Sequence, residues 1–148
     1  MSSFSPIGMN PPPELERARL FIEEHLDQPL QLDDIAQRAH LSRFHLIRRF
    51  QRAYYETPHQ YLIRKRVEKA KELLANSMLS ITEICFAVGF ESLGSFSTLF
   101  HKIVGWSPSI YRSRVLAQRQ NPYKFIPACM RLMHGLPVDA QVRNFQEE

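Results

Sequence analysis

Part of this chain occurs twice. Phe50, Pro58 and Tyr61 recur fifty residues later as Phe100, Pro108 and Tyr111, and Leu46 recurs as Phe96. Further upstream the offset shortens by one, so that Leu32, Ile35 and His40 align with Ile81, Ile84 and Gly89. Several landmarks at one period imply two copies of a single supersecondary unit.

The spacing of apolar residues within each copy is helical. Leu15, Ala18, Phe21 and Ile22 predict a first helix from Glu14 to about Leu26. Leu32, Ile35, Ala36 and Ala39 predict a short second helix. Ser42 is placed to cap a third, because its side-chain oxygen can accept from amides of the first turn, with Leu46, Phe50 and Ala53 on one face. Thr57 and Pro58 open a longer helix carrying Tyr61, Leu62, Ala70, Leu73 and Leu74 and ending at Asn76-Ser77. The second copy restarts at Ser80 with Ile81, Ile84, Cys85 and Val88, and turns at Gly89, where positive φ is expected. It resumes at Ser92 with Phe96, Leu99, Phe100 and Ile103 inward, ends at Gly105, and gives a last short helix at Ser107-Pro108 carrying Tyr111. No segment alternates with period two. The expected fold is all-α, with two units joined by a long linker helix and about seven helices in all.

A short helix, a tight turn and a second capped helix form the helix-turn-helix pattern, whose second helix can enter a DNA major groove. On the third helix, Phe44, Ile47, Arg48 and Gln51 fall opposite the apolar face, and Ser42 and Arg43 lie at its N-terminus. Arginine can donate to both O6 and N7 of guanine, and apolar side chains can touch thymine methyl groups. Arg48, Arg49 and Arg52 alternatively form only a solvated basic face. In the second copy the outward positions are Gly94, Ser97, Thr98 and His101, with Leu93 and Ser95 near the N-terminus. No arginine stands there, so looser sequence reading and phosphate anchoring are expected. The linker helix should span about 28 Å at about 1.5 Å per residue, near the roughly 34 Å between successive major-groove faces. Its run Arg64-Lys65-Arg66 either approaches phosphates or is solvated.

The charge distribution agrees. The net charge is +4. Up to Gln37 only Arg17 and Arg19 oppose a set of acidic residues, whereas the stretch from Arg38 to Arg131 is strongly basic, which suits a polyanionic partner. Cys85 and Cys129 lack metal-ligand spacing, and both are expected to be buried, reduced thiols. No apolar run is long enough to span a membrane and no secretory signal is evident, so a cytoplasmic location is expected. Phosphate-cradling loops, zinc spacing and nucleophile elbows are missing from the sequence. No catalytic residue, metal or cofactor is therefore expected. Among the six histidines only His40 and His45, which straddle a turn, come near a ligand pair.

The stretches Ile81-Thr-Glu-Ile-Cys-Phe-Ala-Val-Gly-Phe90, Ser95-Phe96-Ser97, Phe100 and Gly105-Trp-Ser-Pro-Ser-Ile-Tyr-Arg112 resemble the signature of AraC/XylS-type regulators. The first copy fits through Leu32-Asp-Asp-Ile-Ala36, Ser42, Phe50, Thr57-Pro58 and Tyr61-Leu62, so the resemblance covers about residues 14–114. It implies control of transcription at bacterial promoters, often activation through RNA polymerase, with double-stranded DNA as partner. Carried over by position, it implies base reading by Arg43, Phe44, Ile47 and Arg48, and by Leu93, Gly94, Ser95, Ser97 and Thr98. Four positions depart from the pattern: Tyr55 stands where members usually have Gly, Leu93 and Gly94 replace polar residues, and Thr98 stands where Arg is common.

The resulting layout is a lead-in at 1–13, a first helix-turn-helix subdomain at 14–56, a linker helix at 57–77, a second subdomain at 78–115 and an extension at 116–148. The lead-in reads as flexible, and is too short to be the ligand-binding or dimerisation domain that many members carry. Tyr123, Phe125, Ile126, Met130, Leu132 and Met133 of the extension are expected to pack back on the second subdomain or to meet a partner. Pro122, Pro127 and Pro137 oppose a long helix there. The alternative function is a co-regulatory interaction module that keeps the fold but reads DNA weakly.

Overall fold

The computed structural model describes residues 10–120 and 127–135. Seven helices build the two-unit body: α1 (Pro13–Glu24), α2 (Leu32–Arg38), α3 (Arg43–Tyr54), α4 (Pro58–Asn76), α5 (Ile81–Ala87), α6 (Leu93–Val104) and α7 (Pro108–Gln120). An eighth, α8 (Ala128–Met133), lies in the C-terminal extension. There is no strand among the described residues.

Helix boundaries follow from caps. Ser42 Oγ accepts from the His45 amide, and Ser92 Oγ from the Ser95 amide. Thr57 with Gln60, and Ser80 with Glu83, form reciprocal capping boxes. Both short helices then end in the same way. The Leu41 amide bonds the Ala36 carbonyl and the His40 amide that of Gln37, while Phe90 bonds Cys85 and Gly89 bonds Phe86. These are Schellman closures with His40 and Gly89 in the left-handed position, at φ 56° and 94°.

There are two cores, and α4 contributes to both. Leu15, Ala18 and Ile22 of α1, Ile35 and Ala36 of α2, and Leu46 and Phe50 of α3 bury against Tyr61 and Leu62 in the first half of α4. Val67, Ala70 and Leu74 in its second half bury against Ile84, Cys85, Val88, Phe90, Phe96 and Phe100. Each fully buried Val, Leu, Ile or Phe side chain among them contributes about 1.5–3 kcal/mol. The repeat is preserved in ring geometry. Phe50 meets Tyr61 edge-on with centroids 5.6 Å apart, and Phe100 meets Tyr111 in the same way, also at 5.6 Å.

Several expectations need correction. The last body helix is not short: α7 runs for 13 residues, past the expected boundary at 115. Its length has a tertiary cause. Arg112 Nε donates to the Leu74 carbonyl at 3.1 Å, and Arg119 donates to the Ala75 carbonyl and to Asn76 Oδ1, so α7 ties off the C-terminus of α4. Ile103 is exposed, and its neighbour Val104 packs on the second core, because Val104 continues the four-residue spacing of Phe96 and Phe100. Cys85 is buried, but Cys129 is exposed. In the extension, Met130, Leu132 and Met133 are exposed rather than packed on the second unit. Tyr123, Phe125 and Ile126 lie outside the described residues, as do residues 1–9 of the lead-in.

Candidate nucleic-acid interface

The second helix of each turn presents its outer face to solvent. On α3, Ser42, Arg43, Phe44, Arg48 and Gln51 are exposed and Ile47 is half-buried. Phe44 is 72% exposed, so packing does not account for this aromatic at the head of the helix. On α6, Leu93, Gly94, Ser95, Thr98 and His101 are exposed and Ser97 is half-buried. All twelve positions anticipated from sequence therefore lie on two corresponding helix faces. A Cβ placed on Gly94 would meet nothing within 4 Å, so internal packing does not require a glycine there. Ser92 Oγ donates to Ser95 Oγ at 2.9 Å, which leaves the Ser95 hydroxyl hydrogen for an outside acceptor.

Most cations outside these faces are engaged within the protein. The linker run is engaged within the protein. Arg64 pairs with Glu56 and Glu68, Lys65 with Glu23 and Glu68, and Arg66 is only 8% exposed. Arg49 is not part of a free basic face either, because it donates to Glu14 of α1 at 2.5 Å. Arg38 lies over the Phe21 ring and Lys71 over that of Tyr111. By contrast, four cations have no hydrogen bond, ion pair or ring contact among the described residues: Arg17 on α1, and Arg48, Arg52 and Lys102 on α3 and α6. Arg43 is the intermediate case. Its Nε sits 3.1 Å from Asp33 Oδ1 in an exposed pair, which contributes little and can open readily. Lys102 was not singled out from sequence, Arg52 was read only as one of three arginines on a basic face, and His45 only for its nearness to His40. The fifty-residue offset could have found them, since it aligns His45 with Ser95 and Arg52 with Lys102.

The inner side of α3 is fixed by a polar network as well as by its core. Tyr54 Oη donates to Glu16 at 3.3 Å, Tyr61 Oη donates to Glu23, and Arg19 bridges Glu16 and Glu23. The Arg19 hydrogen bond holds the Glu16 carboxyl below the usual carboxylate range. Burial first, then the Glu16 charge, pushes the Tyr54 phenol up to about 12. Burial and the hydrogen bond to Glu23 likewise raise that of Tyr61.

Two turn-linked, capped helices with bare basic and polar faces, carried by one continuous helix, define a double helix-turn-helix DNA-binding protein. A family profile described as a helix-turn-helix domain matches residues 35–114. The MmsAB operon regulatory protein of Pseudomonas aeruginosa is 36% identical over 102 residues, covering 69% of this chain and 33% of that protein. The transcriptional activator RhaS of Shigella boydii is 38% identical over 88 residues, covering 60% of this chain and 32% of that protein. Among solved structures, the DNA-binding domain of AdpA in complex with a target DNA superposes with a TM-score of 0.70 at 32% identity, covering 76% of this chain and 99% of that one. The C-terminal domain of AraT from Geobacillus stearothermophilus gives 0.69 at 34% identity, covering 72% and 88%. The chain belongs to the AraC/XylS family of helix-turn-helix transcriptional regulators. It spans about a third of the length of the curated relatives it matches.

Proposed function

We propose that this chain reads double-stranded DNA by sequence, with α3 and α6 in adjacent major-groove segments of one face. The observation that carries this reading is that three of the four unpartnered cations among the described residues, Arg48, Arg52 and Lys102, lie on the two recognition helices, the fourth being Arg17 of α1. Arg43 and Arg48 are the guanine-reading side chains, Phe44 and Ile47 meet thymine methyl groups, and Ser42 and Gln51 complete the first contact set. Arg52 and Lys102 hold phosphates. Leu93, Gly94, Ser95, Ser97, Thr98 and His101 form a second, less discriminating set. The 19 residues of α4 give a span of about 28 Å, close to the roughly 34 Å groove repeat.

The site of action under this reading is a bacterial promoter in the cytoplasm, with activation through RNA polymerase. Among the described residues no helix is long and apolar enough to cross a membrane. The relatives are named as regulators, and no observation favours a module that only binds other proteins. Binding by Arg48→Ala tests the assignment. A guanine contact predicts a loss of ~1–3 kcal/mol at the preferred site, with relaxed preference at one base pair. Equal losses on every sequence would make Arg48 a phosphate anchor.

A further inference from the structure

We propose that Arg66 is the positioning residue that fixes the angle between the two reading heads, and thereby the spacing of DNA boxes the chain accepts. The inference rests on the two-headed reading above and extends it to a residue that faces away from DNA.

Arg66 lies midway along α4, on the stripe of Leu62 and Ala70 rather than on the outer surface. Its Nε donates to the Leu26 carbonyl at 2.6 Å and its Nη2 to the Gln28 carbonyl at 2.8 Å. Both acceptors lie in the loop between α1 and α2 of the first unit. On its other side the guanidinium lies over the Phe90 ring, 5.8 Å from the centroid, and Phe90 packs on Phe96 of the second recognition helix at 5.2 Å. One side chain thus connects the loop of the first unit to the hydrophobic support of α6.

The backbone closes the same joint. A Cβ on Gly89 would lie 2.5 Å from the Leu26 carbonyl oxygen and 3.0 Å from Arg66 Nε. The turn of the second unit therefore sits directly against the loop of the first, with Arg66 between them. Burial draws the guanidinium below the usual arginine value, while Glu91 and Asp27 act against that shift. Two carbonyl acceptors and an aromatic face are what a planar cation with a fixed fork of donors requires. A flexible aliphatic side chain offers neither.

A shared rigid helix alone would hold the heads near each other. The joint adds a fixed rotation, and a second head binds at high effective concentration only when its site is where the geometry puts it. Losing Arg66 should therefore leave each head intact and blur the spacing rule.

The test uses the full chain with Cys129→Ser and spin labels at Gln37→Cys on α2 and Thr82→Cys on α5. Without DNA, the distance distribution should be narrow with Arg66 present, broad or displaced in Arg66→Met, and partly restored in Arg66→Lys. In parallel, duplexes carrying both selected boxes, or only the first, are bound with the gap between boxes unchanged or lengthened. Arg66→Met should lose about tenfold on the two-box duplex, keep its affinity for the single box, and discriminate less between gaps. An unchanged distance distribution in Arg66→Met, or a broad one in the parent, would overturn the proposal. So would equal loss on one-box and two-box duplexes, which would mean that Arg66 only supports folding. Should Arg66→Met not fold, the same comparisons with Arg66→Lys decide. The spin-label arm needs no DNA, so failure of the two-headed reading would be distinguishable from failure of the joint.

Discussion

Tyr55 and Gly105 stand fifty residues apart, and each closes a recognition helix in the left-handed conformation, at φ 60° and 92°. The Tyr55 amide bonds the Gln51 carbonyl, and the Gly105 amide bonds that of His101. A family position usually filled by glycine thus keeps its backbone geometry in the first unit with a tyrosine in place. Left-handed geometry costs a side-chain-bearing residue about 1–2 kcal/mol, and adding a glycine costs about 0.4–1 kcal/mol through the unfolded chain. Tyr55→Gly should therefore raise stability by up to about 1.6 kcal/mol. A clear loss in denaturant unfolding would mean that the exposed Tyr55 ring contributes contacts of its own.

The two turn glycines form a controlled pair. Gly89 and Gly105 have nearly the same φ, 94° and 92°, but a Cβ on Gly105 would meet nothing within 4 Å, whereas one on Gly89 would strike the Leu26 carbonyl. Backbone strain is common to both Gly89→Ala and Gly105→Ala. The Gly89 variant should cost about 1–3 kcal/mol more, the usual range for overpacking. Equal losses would show that the two units are not in contact at this turn.

Much of the fold was legible because the repeat, the capping serines and the apolar spacing all describe local geometry. The unread parts depend on tertiary contacts. Arg64, Lys65 and Arg66 look alike as a charge run, yet successive residues on a helix point in different directions and only Arg66 shares the inward stripe of Leu62 and Ala70. That four-residue spacing was the available signal. The length of α7 depends on Arg112 and Arg119 reaching the end of α4, which no local pattern announces. The outward faces of α3 and α6 were legible from helical spacing. Which cations on them stay unpaired was not, because that depends on where Glu14 and Asp33 fall in space.

Asp33 offers a gain-of-affinity prediction. Its carboxylate holds Arg43 in an exposed pair beside the proposed DNA face. Asp33→Asn frees Arg43 and removes a negative charge facing phosphates. Affinity should rise a few-fold at low salt, the scale of an exposed pair, and the gain should shrink as salt screens it. Unchanged or weaker binding at low salt would place Arg43 outside the contact set.

The polar network behind α3 predicts a response to alkali. A phenol whose folded pKa lies above its unfolded value of 10.0 favours the folded state below that value, and this contribution is lost as pH rises through about 12. Stability should therefore fall across that window, and Tyr54→Phe should flatten the fall. Glu16 acts at the other end: its lowered pKa contributes stability above the ordinary carboxyl value of 4.5 that is lost as pH falls. Unfolding midpoints against pH would check both limbs. A Tyr54→Phe profile that matches the parent between 10 and 12 would contradict the role given to Tyr54.

The central claim is that one chain carries two reading heads set on neighbouring turns of DNA. Selection from a random duplex library, with a salt titration on the enriched site, tests it most directly. The account predicts two enriched boxes about one helical turn apart, the first box more sharply defined than the second, bound with a steep salt dependence. A single enriched box, or retention of DNA without any enriched sequence, would contradict it.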